Sequence, residues 1–263
     1  RINYGIKTGF NDAFIINGQK KDELIAKDPK SAEIIRPILR GKDIKRYGYD
    51  FHDKWLIVTH NGLREKNILP VDVTKYPAIK EHLDQFYPQL AKRQDKGNTP
   101  YNLRNCAYME DFNKQKIIYP DIMRMPRSVD YLTKYPYFYF DKEGYFVEAT
   151  NFMMNGSDID PIYGFINSDL GFYIFSKFYS GPQFDNTGFR YKKEYLQSMF
   201  FINITKDDHK RISHIISKEN FESNDAIYNY ENYINSIFEK YLHLSQKEKK
   251  VIVEYKYCLL NSC

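Results

Sequence analysis

Apolar positions along this chain follow two periods, and together they predict a sheet-containing front and a helical back. Ile2 to Thr8 and Ala13 to Ile16 read as short strands around Gly9-Phe10-Asn11-Asp12, a turn-forming group, so the pattern predicts a hairpin. Asn17-Gly18 closes the second strand. A helix follows from Lys20 to Ala26, and Asp28-Pro29, a capping residue with proline at the first helical position, opens another through Ile34 and Ile35. Trp55 to Thr59 has the length of a buried strand. Tyr76 to Arg93 carries Ile79, Leu83, Phe86, Tyr87 and Leu90 at helical spacing, with Pro88 placed to interrupt the helix. Residues 94–105 are polar and rich in turn formers, which predicts an exposed loop.

Lys116 to Tyr119 resumes the strand pattern, and Tyr137 to Phe140 with Tyr145 to Ala149 flank Lys142-Glu143-Gly144 as a second predicted hairpin in one mixed sheet. Pro161 to Phe178 is apolar enough for a buried helix, in which Gly164 and Gly171 permit close packing. The loop Ser180 to Gly188 follows. Beyond Ile204 the period becomes helical throughout: Thr205 to Lys218, Asp225 to Leu242, and Ser245 to Tyr255, the last opened by the capping box Ser245-x-x-Glu248. Ile212, Ile215 and Ile216, and Ile227, Ile234, Ile237, Phe238 and Tyr241, form stripes of the kind that pair helices. The expected fold is α+β: a mixed β-sheet domain with flanking helices over residues 1–204 and a C-terminal helical extension over residues 205–263.

Composition narrows the class. With 263 residues, 42% apolar and 28% charged, the chain can bury a core and is neither disordered nor membrane-like. Tyrosine and phenylalanine raise the aromatic share to 17%, which suits surfaces both apolar and wet, although an AT-rich genome would have the same effect. The net charge of +5 is compatible with a nucleic-acid partner without requiring one. Three cysteines without ligand spacing (Cys106, Cys258 and Cys263), together with the lack of a signal peptide or membrane-length apolar run, favour a cytoplasmic protein with no membrane partner. The start at Arg1 suggests a piece of a longer polypeptide.

Catalytic signatures do not emerge. No closely spaced glycines join a strand to a helix as a phosphate or dinucleotide cradle, and the six histidines lack metal-ligand spacing. Pro120-Asp121 could open a metal-dependent nuclease motif, but its nearest acidic-lysine partner, Glu254-Tyr255-Lys256, falls in a predicted helix. The chain also lacks the Gly-rich loop and the Asn/Asp-Pro-Pro-Tyr motif of an adenine DNA methyltransferase. The expectation is that this chain has no catalytic residues, cofactor-binding residues or metal ligands of its own.

What remains are grouped cations in and beside loops: Arg36 to Arg46, Arg64 and Lys66, Lys92 to Arg104, Arg124 and Arg127, and Arg190 to Lys193. Loops on a rigid scaffold can enter a DNA groove, where Arg pairs with guanine, Asn or Gln with adenine, and Lys mainly with phosphate. The segment around residues 92–104 holds all of these types. The candidate DNA-binding residues are therefore Lys92, Arg93, Gln94, Lys96, Asn98, Tyr101, Asn102 and Arg104, joined by Arg124, Arg190 and Lys192.

Several stretches in order resemble a known family. Tyr4-Gly5-Ile6-Lys7-Thr8-Gly9-Phe10-Asn11-Asp12-Ala13-Phe14-Ile15-Ile16 is similar to the start of the TaqI-like C-terminal specificity domain of type IIG restriction-modification enzymes. Ile35-Arg36-Pro37-Ile38-Leu39-Arg40-Gly41-Lys42-Asp43-Ile44-Lys45-Arg46-Tyr47 follows at family-like spacing. Leu90-Ala91-Lys92-Arg93, with Tyr101-Asn102-Leu103-Arg104 through Lys116-Ile117-Ile118-Tyr119-Pro120, resembles the family's central loop and returning strand, and Phe165-Ile166-Asn167-Ser168 its Leu-Asn-Ser helix. The resemblance covers Ile2 to Ile204. The chain departs from it at Tyr101, where the family often has Trp, and at Phe201-Ile202-Asn203-Ile204, where it often has a Pro-Ile-Pro-like ending.

The resemblance implies sequence-specific recognition of double-stranded DNA for a bacterial enzyme. The parent would be an adenine-specific methyltransferase using S-adenosylmethionine, commonly fused to a magnesium-dependent endonuclease, and this chain would partner the methyltransferase domain of the same polypeptide. Gly5, Gly9, Gly41, Ile38 and Leu39 would be structural, leaving the polar loops to specify sequence. Two other readings stand beside it: a fragment of a type I specificity subunit, which would carry two such units, and a protein-interaction module that does not bind DNA.

Overall fold

In a computed structural model, which describes residues 1–125, 135–183, 188–218, 221 and 223–261, the chain is α+β and layered. The central layer is a four-stranded antiparallel sheet in the order β1 (Ile2–Tyr4), β11 (Asn151–Met154), β7 (Lys116–Pro120), β9 (Tyr139–Asp141). All five residues of β7 are buried, because the sheet is covered on both faces. Alternation sorts its side chains. Ile117, Tyr119, Phe152, Met154 and Phe140 enter one core, while Ile118, Met153 and Tyr139 enter the other.

The second core lies under a four-stranded sheet in the order β10 (Phe146–Val147), β3 (Ile35–Leu39), β6 (Lys54–Ile57), β2 (Ile15–Asn17), in which only β10 and β3 run parallel. The short helix α1 (Asn11–Phe14), α2 (Gly18–Lys27), α3 (Pro77–Asp84) and α4 (Tyr87–Lys92) flank it. Asn17 caps α2 by accepting from the Lys20 amide at 2.8 Å, as its residue type favours. Asp28 caps the segment that Pro29 opens, but that segment is a 3-10 helix ending at Ile34, and Ile35 already starts β3. Pro88 sits in the first turn of α4, and the long helix expected over residues 76–93 is accordingly two.

Helices α5 (Ile159–Asn167), α6 (Asp169–Ile174), α7 (Lys193–Ser198), α8 (Lys206–Lys218), α9 (Asn224–Leu242) and α10 (Gln246–Asn261) build the first core's outer layer. The apolar segment 161–178 is broken at Ser168, whose Oγ donates to the Phe165 carbonyl and accepts from the Gly171 amide, replacing backbone helix bonds. Ile212, Ile216, Ile234, Ile237 and Phe238 lie in the same core as Phe165 and Phe172. The helices beyond residue 204 thus share one interior with the sheet, and the cores do not divide at that residue. The Ser245–Glu248 capping box forms as expected.

Neither predicted hairpin forms. The chain does turn at Gly9 (φ +70), but β1 bonds to β11 and β2 to β6, and the intervening residues make α1. At 142–144 the turn is present, its amides gathered by Asp141, yet β9 pairs with β7 in one sheet and β10 with β3 in the other. Two ribbons complete the fold: β4 (Ile44–Lys45) with β5 (Gly48–Tyr49), and β8 (Ile122–Arg124) with β12 (Gly188–Arg190). Of the sequence features above, Arg127, Cys263 and residues 184–187 of the Ser180–Gly188 loop lie outside the described residues.

Candidate nucleic-acid interface

The fold separates the candidate residues into two places. The first is the loop 94–105, and its interior corrects the sequence reading at two positions. Arg93 is only 7% exposed: its guanidinium donates to the carbonyls of Thr8, Asp95, Pro100 and Asn102 and lies 4.6 Å from the Phe14 ring centroid. Burial pulls its pKa down to about 10, which still leaves it charged at neutral pH. Asn102 is equally committed, donating to Val71 and His60 carbonyls and accepting from Thr99. With these hydrogen bonds made inside the protein, Arg93 and Asn102 are the loop's frame and do not face a groove.

The rest of the loop faces outward on that frame. Lys92, Gln94, Lys96, Asn98 and Arg104 are exposed, and Tyr101 is half-buried with its hydroxyl donating to Asp84 at 2.5 Å. Asn98 is held by Asn61, whose Oδ1 accepts the Asn98 amide at 2.7 Å, and Arg104 pairs with Asp95 at 3.1 Å. Lys96 donates to the Ala91 carbonyl. This face is cationic and backed by a fixed backbone.

The second place is an open groove of about 2260 Å³, walled on one side by the β4–β5 hairpin and on the other by the start of the β8 ribbon, with α9 at its end. Arg124 and Lys192 line it, and Arg190 stands on the strand paired with β8. The hairpin wall is the Gly41–Tyr47 motif. Asp43, fully buried, accepts from the Arg40 amide at 2.8 Å and from its guanidinium at 3.1 Å, closing the turn before β4. Ile44 points into the core while Lys42 and Lys45 are exposed on the groove side.

Arg46 is the anchor of that wall. It is buried, donates to the Tyr135 and Asn167 carbonyls, and forms an ion pair with Glu231 of α9 at 2.8 Å. Burial alone would disfavour its charge, but Tyr47, Glu231 and Asp169 together outweigh that and hold its pKa above the usual value. Tyr47 takes a positive φ of 64° at the hairpin turn and packs against Phe221, Tyr163 and Tyr230. The C-terminal helices therefore hold the hairpin in place. Lys42 and Lys45 were not among the candidate residues; the cation group Arg36 to Arg46, which contains them, was the available signal.

The lining of the groove includes five cationic and five carboxylate residues, so it has no large net field. Its chemistry is directional donors and acceptors among aromatic rings, such as Tyr4, Tyr137 and Tyr228. Such a surface favours specific over indiscriminate contacts.

No family model matches the chain, and no curated protein matches it. Among solved structures, that of the type IIL restriction-modification enzyme MmeI in complex with DNA matches with a TM-score of 0.66 at 11% identity, over 99% of this chain and 35% of that one. The chain spans well under half the length of that enzyme chain, and at this identity the likeness is one of fold, shared with a portion of that structure.

Proposed function

We propose that the chain is the DNA-reading portion of a restriction-modification enzyme, recognising a specific duplex sequence. The observation that carries this is the fold shared, over nearly all of the chain, with part of an enzyme whose structure was solved on DNA. The ordered motifs of residues 2–204 support the narrower reading of a TaqI-like specificity domain in a type IIG enzyme. In that reading the parent polypeptide supplies an adenine-specific methyltransferase domain with S-adenosylmethionine, and magnesium where an endonuclease is fused. Those groups would then sit in the other domains. Among the described residues here, no three His, Cys, Asp or Glu side chains gather to hold a metal. Nor is any described helix long and apolar enough to cross a membrane.

Binding of a labelled duplex, followed by fluorescence anisotropy as salt rises, tests the proposal. The logarithm of affinity is expected to fall linearly with the logarithm of salt, by about 0.9 per phosphate contacted. Arg104→Ala, on the exposed face of the loop, is expected to weaken all duplexes alike and lower that slope by about 1. An absence of salt-sensitive binding, for the chain alone and within its full polypeptide, rejects the reading.

A further inference from the structure

We infer that the β8–β12 ribbon is the element that enters the major groove, with Arg124 and Arg190 as its base-reading side chains. The inference rests on the DNA-recognition reading above. The major groove of B-DNA admits an α-helix or a two-stranded β-ribbon. Among the described strands, two such ribbons lie outside both four-stranded sheets, β4–β5 and β8–β12. The exposed cations at the first are Lys42 and Lys45, which suit phosphate, whereas the second carries arginines, which suit base edges.

The ladder sets which side chains it presents. Met123 pairs with Phe189, and both are buried in the first core. The alternate positions, Ile122 with Arg190 and Arg124 with Gly188, therefore occupy the opposite face. Ile122 and Arg124 line the groove there, and Arg190 keeps 42% of its side chain exposed. Gly188 adds no side chain opposite Arg124.

The ribbon is also rigid at its base. The Tyr137 hydroxyl donates to the Arg124 carbonyl at 3.0 Å, the Tyr191 amide to the Asp121 carbonyl at 2.7 Å, and the Asp121 amide to the Thr150 carbonyl at 3.1 Å. Asp121 places its carboxylate 3.9 Å from the Arg190 guanidinium, on the groove side. Side chains on a fixed strand are held more closely to one geometry than those on a loop. The loop 94–105, whose exposed cations stand on irregular backbone and include Lys96, with Lys92 just before the loop, is better suited to phosphate.

Register gives the spacing. Arg124 and Arg190 are diagonal neighbours on one face, about 7 Å apart. With base pairs stacked about 3.4 Å apart, two guanidinium groups so placed reach bases about two steps apart. Arg pairs bidentately with guanine O6 and N7, so each arginine specifies one guanine.

Selection from a duplex library with a randomised central stretch, using the full chain, tests this. The wild type is expected to select guanines at two positions one to three base pairs apart. Arg124→Ala and Arg190→Ala are each expected to relax one of those positions, by about 5- to 150-fold in preference, and to leave the other positions unchanged. Arg124→Lys and Arg190→Lys, which keep the charge without the fork, are expected to relax the same positions while preserving the salt slope. Unfolding midpoints equal to the wild type's exclude a folding effect for whichever variants are compared. If both alanine variants weaken every duplex equally, or if preference moves only with Lys96 or Arg104 variants, the ribbon assignment is overturned while DNA recognition stands. If the wild type binds no duplex, alone or within its full polypeptide, the functional reading itself fails, and the ribbon with it.

Discussion

Asp141→Ala is expected to lower the stability of the fold by about 3–5 kcal/mol, read as a fall in the urea midpoint with little change in slope. Asp141 and Lys116 form an ion pair with no solvent exposure on either side chain. Burial pulls the Lys116 pKa below its ordinary value, opposed by the Asp141 charge. The carboxylate does more than neutralise the lysine. It accepts the amides of Glu143 at 2.9 Å, Gly144 at 3.2 Å and Tyr145 at 2.9 Å, so its removal strands an ammonium and three amide donors.

The reverse change is milder. Lys116→Met leaves the carboxylate with three charge-assisted bonds and costs the Phe112 carbonyl its donor, so a loss of about 1–3 kcal/mol is expected. Should Lys116→Met cost more than Asp141→Ala, the turn is not what the carboxylate chiefly serves. The position matters to the architecture because the chain leaves one sheet at Asp141 and joins the other at Phe146. The two cores depend on that passage.

Arg93→Ala is expected to cost about 3 kcal/mol or more and to loosen the loop it frames, without moving sequence preference in the manner of a base contact. Four carbonyls share its guanidinium, and those with no other donor become buried acceptors without partners. Arg93→Lys does not restore them, because one ammonium cannot span a planar fork's set of acceptors. Hydrogen exchange checks this locally: the amides of Gly97 and Leu103, bonded to Asn102 and Thr59 carbonyls, should lose protection. Unchanged protection and stability would show that the loop is held by other contacts.

These two residues mark where sequence reading stops. Arg93 lies at the edge of a polar stretch with Gln94, Lys96 and Asn98, and nothing in that local pattern distinguishes a guanidinium turned inward from one turned outward. What turns it inward is a set of carbonyls contributed by residue 8 and by residues 95–102, brought together only by folding. Asp141 is a similar case. A turn at 142–144 was legible, but the strands on either side belong to different sheets because each finds a longer-range partner.

The elements whose causes are local were legible in the residues themselves. The caps at Asp28 and Ser245, the break at Pro88, the strand β7 and the apolar stripes of α8 and α9 each depend on neighbours within a few positions, and each is present. The α+β class followed from them. Strand partners, the sharing of one core by one face of the central sheet and the C-terminal helices, and the convergence of Arg124 and Lys192 with Lys42 and Lys45 on one groove came only with the tertiary structure. The physical reason is range: a cap or a helical stripe is settled by bonds within one turn, whereas a ladder, a buried charge or a shared groove is settled by groups far apart in the chain, as Ile2 is from its ladder partner Met154.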